Sequence, residues 1–232
     1  MEYWPANAKI IQVDINPDRI GLTKTVAVGI IADAAKAANG ILERLSETAG
    51  DDGRAERKAK IAEKKSRWAQ QLSSMDHEDD DPGTTWNQRA RADKPDWMSP
   101  RMAWRAIQSA LPTEAIISSD IGNNCAIGNA YPAFEEGRKY LAPGLFGPCG
   151  YGLPAIVGAK IGQPDVPVVG FAGDGAFGIA VNELTAIGRG EWPAVTQIVF
   201  RNYQWGAEKR NSTLWFDDNF VGTELDTQVS YA

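Results

Sequence analysis

Two cysteines and one histidine are all that the 232 residues offer of the usual soft metal ligands. Cys125 and Cys149 stand far apart and form no C-x-x-C pair, which argues against a zinc site and against a disulfide framework. Basic charge is also short: 24 Lys and Arg stand against 30 Asp and Glu, a net charge of -6. That balance disfavours a general nucleic-acid surface. An anionic ligand would need a local site made of helix N-termini, backbone N–H groups or a metal. No apolar run approaches the length of a membrane span. The opening MEYWPANAKI shows no basic stretch leading into an apolar one, so no signal peptide is visible. The expectation is a cytoplasmic protein with neither nucleic acid nor membrane as partner. Apolar residues, by contrast, are plentiful: 43% of the chain is hydrophobic and eight residues are tryptophan, ample for a packed core.

Three regions differ in character. In residues 1–46, AKIIQVDINPDRIG reads as a short strand, Ile10 to Ile15, closed by Asn16-Pro17. Val26 to Ile31 reads as a second strand, and Asp33 or a neighbour caps a helix with Ala34, Ala37, Ala38, Ile41, Leu42 and Leu45 on one face. Two strands and one helix cannot bury both faces of a sheet, so the chain is expected to begin inside a domain. Residues 47–97 read as a charged surface linker: a solvated helix, then an acidic stretch with Pro and Gly. His77 lies in that stretch and reads as a surface residue. The acidic run Asp76 to Asp81 lacks the EF-hand spacing and reads as a solvated loop.

Residues 98–232 read as an α/β domain. SPRMAWRAIQSALP is an amphipathic helix with Ser99 as N-cap and Pro100 in its first position. EAIISSDIG is a strand and a polar turn, and GPCGYGLPAIVGAKIGQ a Gly-rich turn entering an apolar helix. VPVVGFAGDG is a strand and a glycine turn, AVNELTAIGRG a helix, and AVTQIVFRN the next strand. Alternating strands and helices imply a parallel sheet with right-handed crossovers. Ligands then bind beyond the carboxyl ends of the strands, here near Asp120, Asp174 and Asn202.

VVGFAGDGAFGIAVNEL tests what that ligand is. Gly173, Gly175 and Gly178 formally match G-x-G-x-x-G, the dinucleotide fingerprint. A dinucleotide loop also needs an acid after the second strand to hold the ribose hydroxyls. The strand Val195 to Phe200 ends in RNYQWG, and the nearby acid, Glu191, lies at its wrong end. A metal-held diphosphate fits better. Between Gly175 and Asn202 lie 26 residues, room for one helix and one strand. A right-handed crossover of that length brings Asp174 and Asn202 to neighbouring strand tips. A carboxylate beside an amide oxygen suits Mg²⁺ or Ca²⁺, and Mg²⁺ is commonly completed by phosphate oxygens. The adjacent glycines let the backbone approach a diphosphate.

GDG followed by Asn at this distance resembles the thiamine diphosphate motif of the thiamine diphosphate-dependent enzymes. IIQVDINPDRIG resembles the end of the central, Rossmann-like domain of the acetolactate synthase and pyruvate oxidase group. SDIGNN and GPCGYGLPAIVGAK resemble the two earlier cofactor loops of that group's diphosphate-binding domain. FRNYQWGAEKRNSTLWFDDNFVGTEL is similar to the C-terminal region of the sulfoacetaldehyde acetyltransferase family. The resemblance implies thiamine diphosphate and Mg²⁺ as cofactors. It implies Asp174 and Asn202 as side-chain metal ligands, with the Gln204 backbone carbonyl as a third. Gly173, Gly175 and Ala176 would cradle the diphosphate, met from the earlier strand tip by Gly122, Asn123 and Asn124. Gly147 and Cys149 match the turn that meets the aminopyrimidine, where Cys149 is smaller than the Met, Leu or Ile common there.

The reaction so implied takes sulfoacetaldehyde and phosphate to acetyl phosphate and sulfite, a step of taurine and sulfonate metabolism. Both substrates are anions, and Arg201, Lys209 and Arg210 are the candidate basic residues, set against their reading as ordinary surface charges. Family members activate the cofactor with a glutamate on an N-terminal pyrimidine-binding domain of a partner subunit. Glu135, Glu136 and Glu183 lie in the wrong domain for that role. The expectation is thus a fragment of a longer homo-oligomeric enzyme, dimer or tetramer, with its site at a subunit interface and little activity alone. Two other readings stay open: an acetolactate synthase-like 2-oxo-acid enzyme, and a non-catalytic binding module. Tyr203, Trp205, Trp215 and Phe216 read either as pocket lining or as packing for a lid or subunit contact.

Overall fold

The computed structural model describes residues 7–45, 53–77, 98–134, 139–188 and 192–231. They divide after Ser66 into two units, each with its own sheet.

In the first unit, β1 (Ile11–Asp14) and β2 (Val28–Ile31) pair in parallel, Ile11 opposite Val28 and Asp14 opposite Ile31. Asn16 ends β1 by accepting the Asp18 N–H at 3.0 Å, which starts the 3-10 turn Pro17–Arg19. Helix α1 (Ala34–Leu45) follows. Asp33 Oδ1 accepts from the N–H groups of Ala35 and Lys36 at 3.0 and 3.1 Å, pairing two of the donors that a helix start leaves open. Ile11, Val28, Ile31, Leu42 and Leu45 remain exposed, because two strands and a helix have no second layer to cover them.

Helix α2 (Arg54–His77) is the charged helix expected in the linker. Its residues are exposed from Arg54 to Gln71, with Lys60 paired to Glu56 one turn away. Its end departs from a surface reading. Leu72 is buried and Met75 half-buried, both packed in the core of the second unit. They are three residues apart and share one helix face, an apolar pair closing an otherwise polar helix. The side chains of Asp76 and His77, and residues 78–97 with the rest of the acidic run, lie outside the described residues, as do Glu135, Glu136 and Glu191.

The second unit holds four parallel strands in the order β4-β3-β5-β6: β3 (Ile116–Ser119), β4 (Tyr140–Leu141), β5 (Val168–Gly173) and β6 (Thr196–Phe200). Around it run α3 (Pro100–Ala110), α4 (Asn123–Gly128), α5 (Gly152–Gly162), α6 (Asp174–Ala180), α7 (Leu184–Ile187) and α8 (Gly206–Trp215). Side chains alternate across the sheet. Ile117, Val169, Phe171, Ile198 and Phe200 pack with Trp104 of α3 and Ile127 of α4. Ile116, Val168, Ala172 and Val199 pack with Leu153 and Ile156 of α5 and with Phe177 and Ala180 of α6. Register enforces this: Phe171 pairs with Ile198 and Ala172 with Val199. Trp104 is fully buried, its ring 4.3 Å from that of Phe171 and 5.6 Å from that of Phe200. Burial of such side chains contributes roughly 1.5–3 kcal/mol each. β3 has β4 on one side and β5 on the other, so the connections leaving β3 and β5 diverge there. That switch point opens a crevice beyond the carboxyl ends of β3 and β5.

Three local features differ from expectation. Ser99 takes the N-cap place, yet its hydroxyl is buried with no partner among the described residues, and α3 starts with the Ser99 carbonyl accepting from Ala103 at 3.0 Å. β4 has only two residues, too few to show a period in sequence. The helix expected over AVNELTAIGRG begins earlier, at Asp174, and breaks at the 3-10 turn Val181–Glu183 before α7. The GDG stretch is therefore a strand end and a first helical turn, not a free loop.

Candidate cofactor and metal site

The tips of β3, β5 and β6 build the site, and two buried carboxylates tie them together. Asp120 follows β3 and is 1% exposed. Its Oδ1 accepts from Ile121 N–H at 2.8 Å and Gly150 N–H at 3.0 Å, and its Oδ2 from Gly152 N–H at 2.7 Å. One side chain thus joins the Gly122–Asn124 loop to the Gly147–Tyr151 turn and to the start of α5. Gly152 permits the approach, since a Cβ there would lie 3.0 Å from Asp120 Cβ.

Asp174 is the first residue of α6 and 2% exposed. Its Oδ1 accepts from Gly175 N–H at 3.1 Å and its Oδ2 from Tyr203 N–H at 2.7 Å. The second bond joins the end of β5 to the loop after β6. In that loop Asn202 Oδ1 accepts the Gln204 N–H at 3.2 Å. A Cβ placed on Gly206 would lie 2.8 Å from Asn202 Nδ2 and 3.0 Å from Asn123 Nδ2, so both amides converge on the first residue of α8. Asp174, Asn202, Gln204 and Asn123 are therefore brought together from three strand tips.

Tyr203 sits at the centre in a left-handed conformation, φ +59°. A bulky side chain holds that conformation only under constraint, at a strain of about 1–3 kcal/mol. The twist turns its N–H toward Asp174. Its carbonyl accepts from Leu225 N–H at 2.9 Å, and Trp205 N–H donates to the Thr223 carbonyl at 2.7 Å. These bonds bracket Gln204, whose own carbonyl takes no backbone N–H among the described residues.

This donor set fits a metal-held diphosphate. One carboxylate, one amide oxygen and one open carbonyl are hard ligands suited to Mg²⁺, which fills its remaining positions with phosphate and water. Among the described residues no three His, Cys, Asp or Glu cluster, as a single-acid set requires. Asn124 leaves both amide atoms buried without a partner beside Gly122 and Asn123, and Gly122 at φ +137° has open space where a Cβ would stand. Gly175 is held to glycine by Trp205, whose ring would be 2.8 Å from a Cβ there, and Ala176 beside it is buried.

Cys149 lies in the turn between Gly147 (φ +66°) and Gly150 (φ +88°). With Leu141, Pro148, Tyr151, Pro154 and Ala155 it lines an open cavity of about 500 Å³. Burial raises the pKa of its thiol, and the charges of Asp120 and Glu208 raise it further. The neutral thiol is thereby favoured over the nucleophilic thiolate. Alkylation of Cys149 by iodoacetamide should therefore set in at a higher pH than for an ordinary thiol. The linkage has a definite sign: the folded thiol holds its proton more tightly, so this stabilisation is lost as pH rises from the unfolded toward the folded pKa. Mass-spectrometric labelling against pH checks this, and an inflection at or below the ordinary thiol value would contradict it.

The three candidate anion ligands have different fates. Arg201 Nη2 donates to the carbonyls of Thr227 (3.1 Å) and Val229, and its guanidinium lies over the rings of Tyr203 and Tyr231. Lys209 pairs with Glu224 and covers the ring of Phe220. Arg210 is exposed on α8 with no partner among the described residues. Trp205 packs against Gly175 at the site, whereas Trp215 and Phe216 are exposed, as is Glu183. In sequence Asp120 reads only as a strand end, although an acid closing a buried strand ahead of a Gly-rich turn is a usable signal of its bracing role. Thr223–Tyr231 reads as having no role at the site.

The same part of the chain has known relatives. Residues 120–232 match the family described as the thiamine pyrophosphate enzyme, C-terminal TPP binding domain, so this part of the chain is a TPP-binding domain of that family. Over all 232 residues the chain is 83% identical to sulfoacetaldehyde acetyltransferase of Roseovarius nubinhibens and 77% identical to that of Rhodobacter capsulatus, covering 38% and 39% of those proteins. It is 29% identical over 238 aligned positions to the acetolactate synthase large subunit of Corynebacterium glutamicum, of which it covers 34%. The chain is a homologue of sulfoacetaldehyde acetyltransferase and corresponds to its C-terminal portion. It spans about two-fifths of the length of those acetyltransferases.

Proposed function

We propose that this chain carries the diphosphate- and Mg²⁺-binding part of an enzyme that converts sulfoacetaldehyde and phosphate to acetyl phosphate and sulfite. The observation that carries the reading is the 2.7 Å bond from Tyr203 N–H to Asp174, which sets a carboxylate beside the Asn202–Gln204 loop. Asp174, Asn202 and the Gln204 carbonyl would hold Mg²⁺. Gly122, Asn123, Asn124, Gly173, Gly175 and Ala176 would hold the diphosphate. The turn of Gly147 and Cys149 would receive the aminopyrimidine. Thiamine diphosphate, when bound, supplies the electron sink for carbon–carbon and carbon–sulfur bond changes that side chains alone cannot support. The chain's own residues bind, orient and exclude water. Of the three basic residues Arg210 would take the sulfonate or phosphate, since its planar fork can bind an oxyanion in bidentate fashion and Arg201 and Lys209 are already engaged.

No glutamate of this chain is assigned the activating role, so turnover needs a glutamate from outside it, and the site completes itself at a subunit interface of a homo-oligomer. The compartment proposed is the cytoplasm. Among the described residues both cysteines are free thiols, and no helix is long and apolar enough to cross a membrane. The much higher identity to the acetyltransferases than to acetolactate synthase favours the sulfonate substrate over a 2-oxo acid. The test supplies the full-length enzyme carrying this chain with thiamine diphosphate, Mg²⁺, sulfoacetaldehyde and phosphate. Sulfite and acetyl phosphate should appear together and be lost with Asp174→Ala. Carbon dioxide and a hydroxyketone from pyruvate, without sulfite, would move the protein to the acetolactate synthase type.

A further inference from the structure

We propose that Arg201 is a positioning residue for the metal: it clips the strained Asn202–Gln204 loop to the segment Thr223–Tyr231 and so holds the ligands ready. The inference rests on the Mg²⁺ and thiamine diphosphate reading above. Arg201 directly precedes Asn202, and its half-buried side chain is engaged through one end of the guanidinium. Nη2 donates to the carbonyls of Thr227 and Val229. The guanidinium carbon stands 4.3 Å from the Tyr203 ring centroid and 5.6 Å from that of Tyr231. Its Nε is buried, out of reach of an anion in solution. One nitrogen bonds both carbonyls while the flat guanidinium stacks on two rings, a combination that a compact, strongly hydrated ammonium does not reproduce.

The clip reaches both halves of the ligand set. On the β6 side, Leu225 and Thr223 bond the backbone on either side of Gln204, and the ring of Tyr203 lies under Arg201. On the β5 side, the Tyr231 hydroxyl donates to the Asp174 carbonyl at 3.4 Å, and the Tyr231 ring meets Phe177 edge-on at 5.3 Å. Tyr203 at φ +59° would relax toward an ordinary conformation if released. Its N–H would then leave Asp174, and the loop would have to be rebuilt at each binding event, lowering apparent affinity by the fraction of molecules still in the competent shape.

Calorimetric titration of Mg²⁺ into the full-length enzyme carrying this chain, with thiamine diphosphate present, tests this, alongside melting temperatures without metal. Arg201→Ala should weaken Mg²⁺ binding about tenfold, within what release of one strained residue can do. Arg201→Lys should remain weakened, and it carries the test if Arg201→Ala does not fold. Arg201→Ala/Tyr203→Gly should regain most of the Mg²⁺ affinity, because glycine adopts positive φ without strain. Its melting temperature should not recover, since the lost packing is not replaced. A purely structural arginine would give no such split. Equal Mg²⁺ affinity in wild type and the Arg201 variants, or no regain from glycine at 203, would overturn the positioning role while leaving the cofactor reading intact. Absence of Mg²⁺-dependent binding in the wild type would overturn both.

Discussion

Asp120→Ala is expected to lower the unfolding free energy by about 3 kcal/mol, because it removes a buried acceptor of three backbone N–H groups. Three N–H groups, of Ile121, Gly150 and Gly152, lose their acceptor at once. Gly152 is buried and its unpaired N–H costs roughly 1–3 kcal/mol; Ile121 and Gly150 are half-buried and cost less, and the desolvation of the carboxylate that is relieved offsets part of the sum. Asp120→Asn should fall between. It keeps the shape but turns one acceptor oxygen into an NH₂ that faces an N–H. Denaturant unfolding of the three proteins reads the order directly. The same change should loosen the Gly147–Cys149 turn and make Cys149 easier to alkylate at fixed pH. An Asp120→Ala protein as stable as wild type would mean that those backbone groups find other partners and that the brace is not one.

Asp174→Ala should weaken Mg²⁺-dependent binding of thiamine diphosphate by about 100-fold or more, since even residues that only orient a ligand cost about 10–100-fold. Two effects add. The sole carboxylate of the ligand set disappears, and Tyr203 N–H loses the acceptor that fixes the loop holding Asn202. Asp174→Asn separates them. It retains an oxygen for Tyr203 but no charge for the metal, so the loop should stay in place while Mg²⁺ affinity falls. Titration of thiamine diphosphate with and without Mg²⁺ measures the effect. Wild-type affinity in Asp174→Ala would remove this residue from the metal.

Much of the site was legible in sequence because its signals are local. The Gly-rich turns, the acid beside them and the strand–helix alternation all lie within short windows, and the crossover length alone placed Asp174 near Asn202. Asp33 announced a helix start that the structure keeps. What was not legible depends on residues distant in sequence. Arg201 and Lys209 read as free cations because their partners at Thr227, Val229 and Glu224 lie 26, 28 and 15 residues away. The left-handed Tyr203 gave no sign, since positive φ is signalled by glycine or asparagine and not by an aromatic. Leu72 and Met75 lie in a stretch that reads as solvated, and their burial depends on the sheet core that surrounds them. β4 is held by its pairing with β3, not by any pattern of its own.

The most direct test of the account is an experimental structure of this chain, within its complete enzyme, with thiamine diphosphate and Mg²⁺ bound. The metal is expected at about 2.0–2.1 Å from Asp174 carboxylate oxygen, Asn202 Oδ1 and the Gln204 carbonyl, with the diphosphate between the tips of β3 and β5. A metal bound elsewhere, or a diphosphate that contacts neither strand tip, would contradict it.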